Sequence, residues 1–283
     1  MTTTGSPSTS SRFSARTFLV HGLLAGLLAG LAAFLVGHQV GEPQIDTAIA
    51  LEESAAPASD EEAAGHSHSD SHSDDEAGHS HGDEAGGTEV SRATQKTWGL
   101  ATGTVAVGLA LGGILGLLSG AVLGRLGRLG PAQSTATVVA IGFVSFSLVP
   151  FLKYPAAPPA VGSGDTIGER TGYYFVFLLV SVLLAVALTA VAVRLAPQVG
   201  AFAAVAGALV GYAVLTAIAG GLMPTVNEVG DFPADTLWYF RLSSLYTLAA
   251  LWGVIGLLLT GLVARTARQQ RAEQERRELA ASL

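Results

Sequence analysis

Six long apolar runs, separated by polar segments, dominate the pattern of this chain. Each run is long enough to cross a hydrocarbon core of about 30 Å as a helix, which takes about 20 residues. The runs cover residues 17–37, 99–123, 134–152, 173–195, 199–223 and 245–264. They predict an all-α polytopic membrane helix bundle with six transmembrane helices. Five spans remain an alternative, because the third run is the shortest and the most polar.

The polar segments divide the chain into a membrane domain and its appendages. Residues 1–16 are rich in Ser and Thr and predict a disordered N-terminus, followed by a transmembrane domain over 17–264. Residues 55–90 are acidic and contain no Phe, Tyr or Trp, so they bury too little apolar surface to offset their ordering entropy. We predict a disordered extracytoplasmic loop there and a polar helical cytoplasmic tail over 265–283.

Basic residues fall mostly on one side of the predicted bundle. With a cytoplasmic N-terminus, ten lie on the inner side and five on the outer side. The inner set is Arg12, Arg16, Arg125, Arg128, Arg194, Arg265, Arg268, Arg271, Arg276 and Arg277, and the outer set is Arg92, Lys96, Lys153, Arg170 and Arg241. By the positive-inside rule, this asymmetry predicts a multi-pass protein of the cell membrane with both termini cytoplasmic. Five spans would place the arginine-rich tail outside.

Glycine recurs every fourth residue in two of the predicted helices. The stripes are Gly22, Gly26 and Gly30 in the first run, and Gly108, Gly112, Gly116, Gly120 and Gly124 in the second. A stripe of this kind lets another helix approach closely where lipid provides no hydrophobic drive for association. We predict tight helix packing along the stripes. A thin wall beside a permeation path is the alternative interpretation.

The candidate chemistry lies in the acidic loop. Five of the seven histidines fall within residues 66–81, and 14 of the 22 acidic residues lie between Glu42 and Glu89. Because the chain has no cysteine, imidazole nitrogen and carboxylate oxygen are its expected metal donors. The predicted ligands are His66, His68, His72, His79 and His81, with Asp70, Asp74 and Asp75 completing the shell.

The spacing of these ligands indicates several exchangeable metal sites rather than one rigid site. H-x-H places alternate side chains on one side of an extended backbone, whereas H-x3-H matches one helical turn. A loop that can fold around a metal in more than one way suits capture and release. Such ligands do not select among copper, nickel, zinc and cobalt. The alternative interpretation is a solvated acidic linker in which histidine is incidental.

Two smaller groups flank the membrane on the predicted outer side. His38, Glu42 and Asp46 follow the first run and predict a relay from the loop to the membrane, unless His38 is an interfacial residue bonded to backbone. Asn227 and Glu228 precede Arg241 in the last outer segment. They indicate either an oxygen-lined mouth for a hydrated cation or a salt bridge that organises the outer loops.

Motifs of known catalytic sites do not occur in the chain. It has no P-loop, no H-E-x-x-H, no G-x-S-x-G and no glycine-rich dinucleotide turn after a strand. We therefore expect no enzymatic activity and no resident cofactor, and the metal is expected to be a transported ion. The expected surroundings are membrane lipid, and we expect no nucleic-acid partner.

The outer segments carry a resemblance to a known family. The stretch "GEPQIDTAI", the histidine-rich loop, "SLVPFLKYPAAPPAVGSGDTIGERTGYY" and "LMPTVNEVGDFPADTLWYFRLSSL" resemble the actinobacterial type of CbtA, a probable cobalt transporter subunit. The resemblance extends from about Phe18 to Trp252. It implies cobalt uptake, often linked to cobalamin biosynthesis, alongside a small CbtB-like subunit with one membrane helix. The family is usually described with five spans, one fewer than we count.

The resemblance adds Lys153 and Asp165 to Asn227, Glu228 and Arg241 as residues of the predicted outer mouth. The resulting hypothesis is a membrane subunit of a divalent transition-metal uptake system in which the histidine loop collects the ion. Cobalt is the preferred ion, with nickel or zinc as alternatives. The second hypothesis is a membrane-anchored metal-binding accessory or buffer that forms no transport path itself.

The histidine assignment predicts that metal binding weakens in acid. Protonated imidazole cannot bind a metal, so the apparent affinity should fall as the pH drops through about 6.5, the ordinary histidine value. Titration of the full chain with cobalt at about pH 5 and about pH 8 measures this change. Equal uptake at the two pH values would contradict the assignment.

Overall fold

The computed structural model describes residues 13–55 and 90–282, in which helices joined by short connections make up the fold. Six of the helices are long and apolar enough to cross a membrane, and these ranges contain no β-strand. They are α1 (Ala15–Ser54), α2 (Arg92–Ala121), α3 (Pro131–Lys153), α4 (Gly164–Val199), α5 (Ala201–Leu222) and α6 (Ala234–Ala281). The prediction of an all-α membrane bundle with six spans is confirmed.

Two helices extend far beyond the apolar runs that predicted them. α1 continues past Pro43 to Ser54, and α6 continues through the arginine-rich tail to Ala281. The turn Gly37–Gly41, just ahead of Pro43, is a wider π turn. Because proline has no N–H and its ring clashes with a carbonyl one turn earlier, a wider turn keeps the helix continuous there. Hydropathy therefore marks the apolar span and not the end of the helix.

α1 and α2 are antiparallel and pack along their two glycine stripes. A Cβ built on Gly26 would collide with the carbonyl oxygen of Gly108, and one built on Gly112 would lie 2.7 Å from the Cα of Gly26. Only glycine permits backbones to approach this closely. The predicted tight packing is thus confirmed. Gly124 does not take part, because it lies beyond the end of α2 and has a positive φ of 75°.

A second face of α1 carries alanine and belongs to the core of the bundle. Ala25, Ala29 and Ala33 are almost completely buried and form one cluster with a stripe of larger residues from α6. The members of that stripe, spaced four residues apart, are Leu251, Ile255, Leu259 and Val263. α1 therefore presents glycine to α2 and alanine to α6, so that small side chains on one central helix bring two neighbours close.

α4 and α5 form a hairpin that joins the other helices through α3. The turn before Pro150 is a π turn, so the N–H of Val149 bonds one residue further back than in an α-helix. Pro150 has no N–H, and the carbonyl of Ser145 is left without a helical partner. Ser181 of α4 donates to that carbonyl at 2.7 Å, and the hydroxyl of Tyr212 of α5 lies 2.7 Å from Ser181. This buried link connects three helices.

The glycine contact predicts a position-dependent effect of alanine on stability. Gly108→Ala should lower the thermal unfolding midpoint in detergent, because its Cβ meets the backbone of α1 and overpacking costs about 1–3 kcal/mol. Gly103→Ala is the matched control on the same helix, since nothing lies within 4 Å of its Cβ position. Alanine there should be neutral or stabilising by up to about 1 kcal/mol. Equal midpoints for the two variants would contradict the packing argument.

Candidate functional site

The predicted metal-collecting loop lies outside the described residues. This applies to His66, His68, His72, His79, His81, Asp70, Asp74 and Asp75, whose assignment as ligands stays a prediction. The helices that flank the loop are described, and the last turns of α1 lie beside the first turns of α2. We call this end of the bundle the loop end. Within 13–55 and 90–282, no three His, Asp or Glu side chains come together as a metal site.

An ion-pair network joins α1 and α2 at the loop end. Arg92 donates to Oε2 of Glu42 and, at 3.0 Å, to Oδ1 of Asp46. Lys96 lies 3.3 Å from the other carboxylate oxygen of Asp46. The side chain of Glu42 is only 8% exposed, whereas that of Asp46 is 44% exposed. Two cations thus neutralise the two carboxylates that were predicted to pass a metal to the membrane.

His38 is held by the same part of α2. Its Nδ1 lies 3.1 Å from the carbonyl oxygen of Lys96, and its ring stacks on Phe34. Because a carbonyl oxygen only accepts, Nδ1 donates, which leaves Nε2 as the acceptor of the neutral ring. This is the geometry of the backbone-bonded alternative for His38. A metal relay through His38, Glu42 and Asp46 stays a prediction.

A cavity of about 710 Å³ opens among the helix ends and connecting segments of the loop end. Its charged lining consists of Lys153 from α3, Arg170 from α4, Glu228 from the segment before α6, and Arg241 from α6. The structure therefore brings together three of the five residues predicted for an outer mouth. The other two, Asp165 and Asn227, are exposed and lie outside this lining.

One oxygen of the carboxylate in the cavity receives three contacts. The hydroxyl of Thr166 donates to Oε2 of Glu228 at 2.9 Å, the N–H of Ser163 donates at 3.2 Å, and Nε of Arg170 lies at 3.4 Å. The Thr166 hydrogen bond first, then the Ser163 N–H and the Arg170 charge, hold the pKa of Glu228 below its ordinary value. This salt bridge joins α4 to the segment before α6, with Arg170 in the place of the Arg241 that the sequence interpretation named.

Arg170 is the site residue that sequence reasoning did not single out. Its guanidinium also donates to the carbonyl oxygen of Ser163 at 3.0 Å and lies against Gly162, whose positive φ of 93° and missing Cβ leave room for it. The signal in the sequence was its place in the polar segment between the third and fourth apolar runs, close to Asp165. Its partner was not recognisable, because Glu228 is 58 residues away in the chain.

The remaining two cations of the cavity hydrogen-bond only to backbone, and Nζ of Lys153 also lies 5.3 Å from the centroid of the Tyr154 ring. Nζ of Lys153 donates to the carbonyl oxygen of Met223 at 3.4 Å, and Nε of Arg241 donates to that of Ala156 at 3.5 Å. Neither forms an ion pair with a described residue. Three cations therefore face one engaged carboxylate, and this balance favours an anionic occupant over a bare divalent cation. A mouth for a hydrated cation stays a prediction.

The comparisons with known proteins give one match. A family model described as a probable cobalt transporter subunit, CbtA, matches residues 15–264. The chain belongs to the CbtA family. The match begins with α1 and ends where α6 leaves its apolar part, so the CbtA model covers all six apolar spans. No curated protein and no solved structure gives a significant match.

Family and fold together describe a multi-pass membrane protein. The CbtA description names cobalt as the transported substrate, and its word "subunit" implies a partner in a complex. The six helices of the structure exceed by one the number by which the family is usually described.

The ion-pair network predicts unequal effects of two neighbouring charges. Arg92→Gln should lower the free energy of unfolding by about 1–3 kcal/mol, measured as a lower thermal midpoint in detergent, because it leaves the mostly buried carboxylate of Glu42 without its partner. Lys96→Gln is the matched control, since Lys96 contacts only the half-exposed Asp46, and should cost less than about 1 kcal/mol. Adding Glu42→Gln to the Arg92 variant should recover part of the loss. A larger effect of the Lys96 variant would contradict this account.

Proposed function

We propose that this chain is the membrane subunit of a divalent transition-metal uptake system, with cobalt as the ion and the histidine loop as its collector. The family match over residues 15–264 carries the proposal. The five histidines of the loop support it, because neutral imidazole binds divalent cobalt, nickel and zinc. In the predicted orientation the loop lies outside, where it would concentrate scarce cations for the bundle.

The interior of the bundle supports a transport path that is shared with a partner. Apart from His21 and Arg194, the six predicted spans contain no ionisable Asp, Glu, Lys, Arg or His. The buried hydroxyls of Ser119, Thr135 and Thr216 donate to carbonyls one turn earlier in their own helices. Such hydroxyls provide no carboxylate or imidazole along the membrane for a divalent cation. A small one-helix CbtB-like subunit is the proposed partner that completes the path.

The scarcity of ionisable residues in the spans also fits a second function. A chain that forms no path itself would act as a membrane-anchored accessory or buffer for nickel, zinc or cobalt. It would take up the ion with the histidine loop and pass it to a separate permease. The two functions differ in whether the ion crosses the membrane when the chain and its subunit partner are present alone.

Cobalt entry into reconstituted vesicles distinguishes these two functions. Purified chain is reconstituted with and without a one-helix subunit, and cobalt entry is followed in a competition series with nickel and zinc. Entry with the chain alone would support a carrier, and entry only with the partner would support the shared path. Entry in neither case would overturn the transport proposal and favour the buffer.

The collecting role of the loop predicts a concentration-dependent defect. Changing all five histidines to Ser should lower cobalt uptake at scarce metal and spare it at abundant metal, because a collector raises the local ion concentration without forming the path. A matched variant changes Ser67, Ser69, Ser71, Ser73 and Ser80 to Ala and should transport like the wild type. Loss of uptake at every cobalt concentration would show that the histidines belong to the path itself.

A further inference from the structure

The loop-end cavity contains two cations without a counter-ion. Arg170 is paired with Glu228, but within the described residues Lys153 and Arg241 hydrogen-bond only to backbone carbonyls. The ammonium of Lys153 also lies 5.3 Å from the centroid of the Tyr154 ring, which carries no charge. Both are partly buried against the cavity. Partial burial of charge without a partner is unfavourable, so an anion placed between the two would be stabilised by both.

The donors of Arg241 suit an oxyanion in particular. A guanidinium has five N–H groups in a planar fork, and the described residues engage only the Nε–H, at a long 3.5 Å from Ala156. The terminal NH2 groups of the fork match two oxygens of a phosphate or carboxylate. Lys153 adds a point charge from the facing helix end, and one of its three N–H donors is used by Met223.

The apolar walls of the cavity favour a lipid over a small ion as its occupant. Its lining continues along α6 to Leu248, seven residues beyond Arg241, which is about 10 Å further into the membrane. Phe151 of α3 and Tyr174 of α4 also line this deeper part, which is largely apolar. A cationic rim above an apolar wall fits a molecule with an anionic head and a hydrocarbon tail.

We propose that the loop-end cavity binds a phosphate-type oxyanion at Lys153 and Arg241, and that in the membrane this group is the headgroup of an anionic phospholipid. The phosphate would lie between the Lys153 ammonium and the Arg241 fork, with an acyl chain along α6. The bound lipid would neutralise the two cations and tie the ends of α3 and α6 together. This inference is independent of which ion the chain transports.

The test compares three probes on the full chain in detergent. Phosphatidylglycerol, phosphatidylcholine and inorganic phosphate are each titrated, and binding is followed by native mass spectrometry and by the shift of the thermal midpoint. The test variant combines Lys153→Gln and Arg241→Gln. Arg194→Gln is the control for removal of a cation elsewhere, because Arg194 is exposed and lies outside the cavity. Arg241→Lys keeps the charge but not the fork, and helix content by circular dichroism checks the fold of every variant.

We expect one phosphatidylglycerol per chain, bound more tightly than phosphatidylcholine. Loss of two charge-assisted contacts should weaken it at least about tenfold in the double variant, with no change in Arg194→Gln and partial retention in Arg241→Lys. Binding of inorganic phosphate with the same dependence on Lys153 and Arg241 would support the site and assign a free anion as its source. Equal affinity for the two lipids without phosphate binding, or anion binding unchanged in a folded double variant, would overturn the proposal.

Discussion

The close approach of α1 and α2 along their glycine stripes is the contact on which the rest of this structure depends. Lipid tails are as apolar as the helices, so burial from water cannot hold the two spans together. Glycine removes the side chains between Gly26 and Gly108 and lets backbone meet backbone over three successive turns. Dispersion contacts accumulate along that face. A Cβ at any of the central positions would separate the helices.

That contact determines what happens at the loop end. Because α1 and α2 run antiparallel and in register, Glu42 and Asp46 arrive beside Arg92 and Lys96. Charges that would otherwise be left at a lipid boundary neutralise each other. The end of α1 and the start of α2, between which the histidine-rich segment lies in the chain, are thus held side by side. The alanine face of α1 then brings in α6, and α6 brings in α3 through Trp252, which packs on Phe143.

Two prolines lie within long helices of the bundle. Pro43 and Pro150 each follow a π turn, and each helix continues instead of ending. At Pro150 the missing N–H has a structural use, because it frees the carbonyl of Ser145 for the hydroxyl of Ser181 on α4. In hydrocarbon an unsatisfied carbonyl is costly, so this hydrogen bond fixes where the α4–α5 hairpin attaches. The hairpin is otherwise largely exposed to lipid.

Much of this architecture follows from the sequence alone. Six apolar runs are sufficient for six spans, because about 20 apolar residues in water have no stable alternative to crossing a membrane. The four-residue glycine period predicts close packing, because a face without side chains lets another helix approach. The family resemblance is also a property of the sequence, carried by the polar strings between the spans.

Only the tertiary structure decided which charges meet. Glu228 pairs with Arg170, 58 residues away, and Arg241 enters the same cavity from another helix, with no counter-ion among residues 13–55 and 90–282. The periodicity of residues within one helix does not reveal which side chains meet between helices. The sequence alone therefore does not show whether Arg170 or Arg241 pairs with Glu228. The difference between a neutralised carboxylate and a free cation depends on distances of a few ångströms between separate elements.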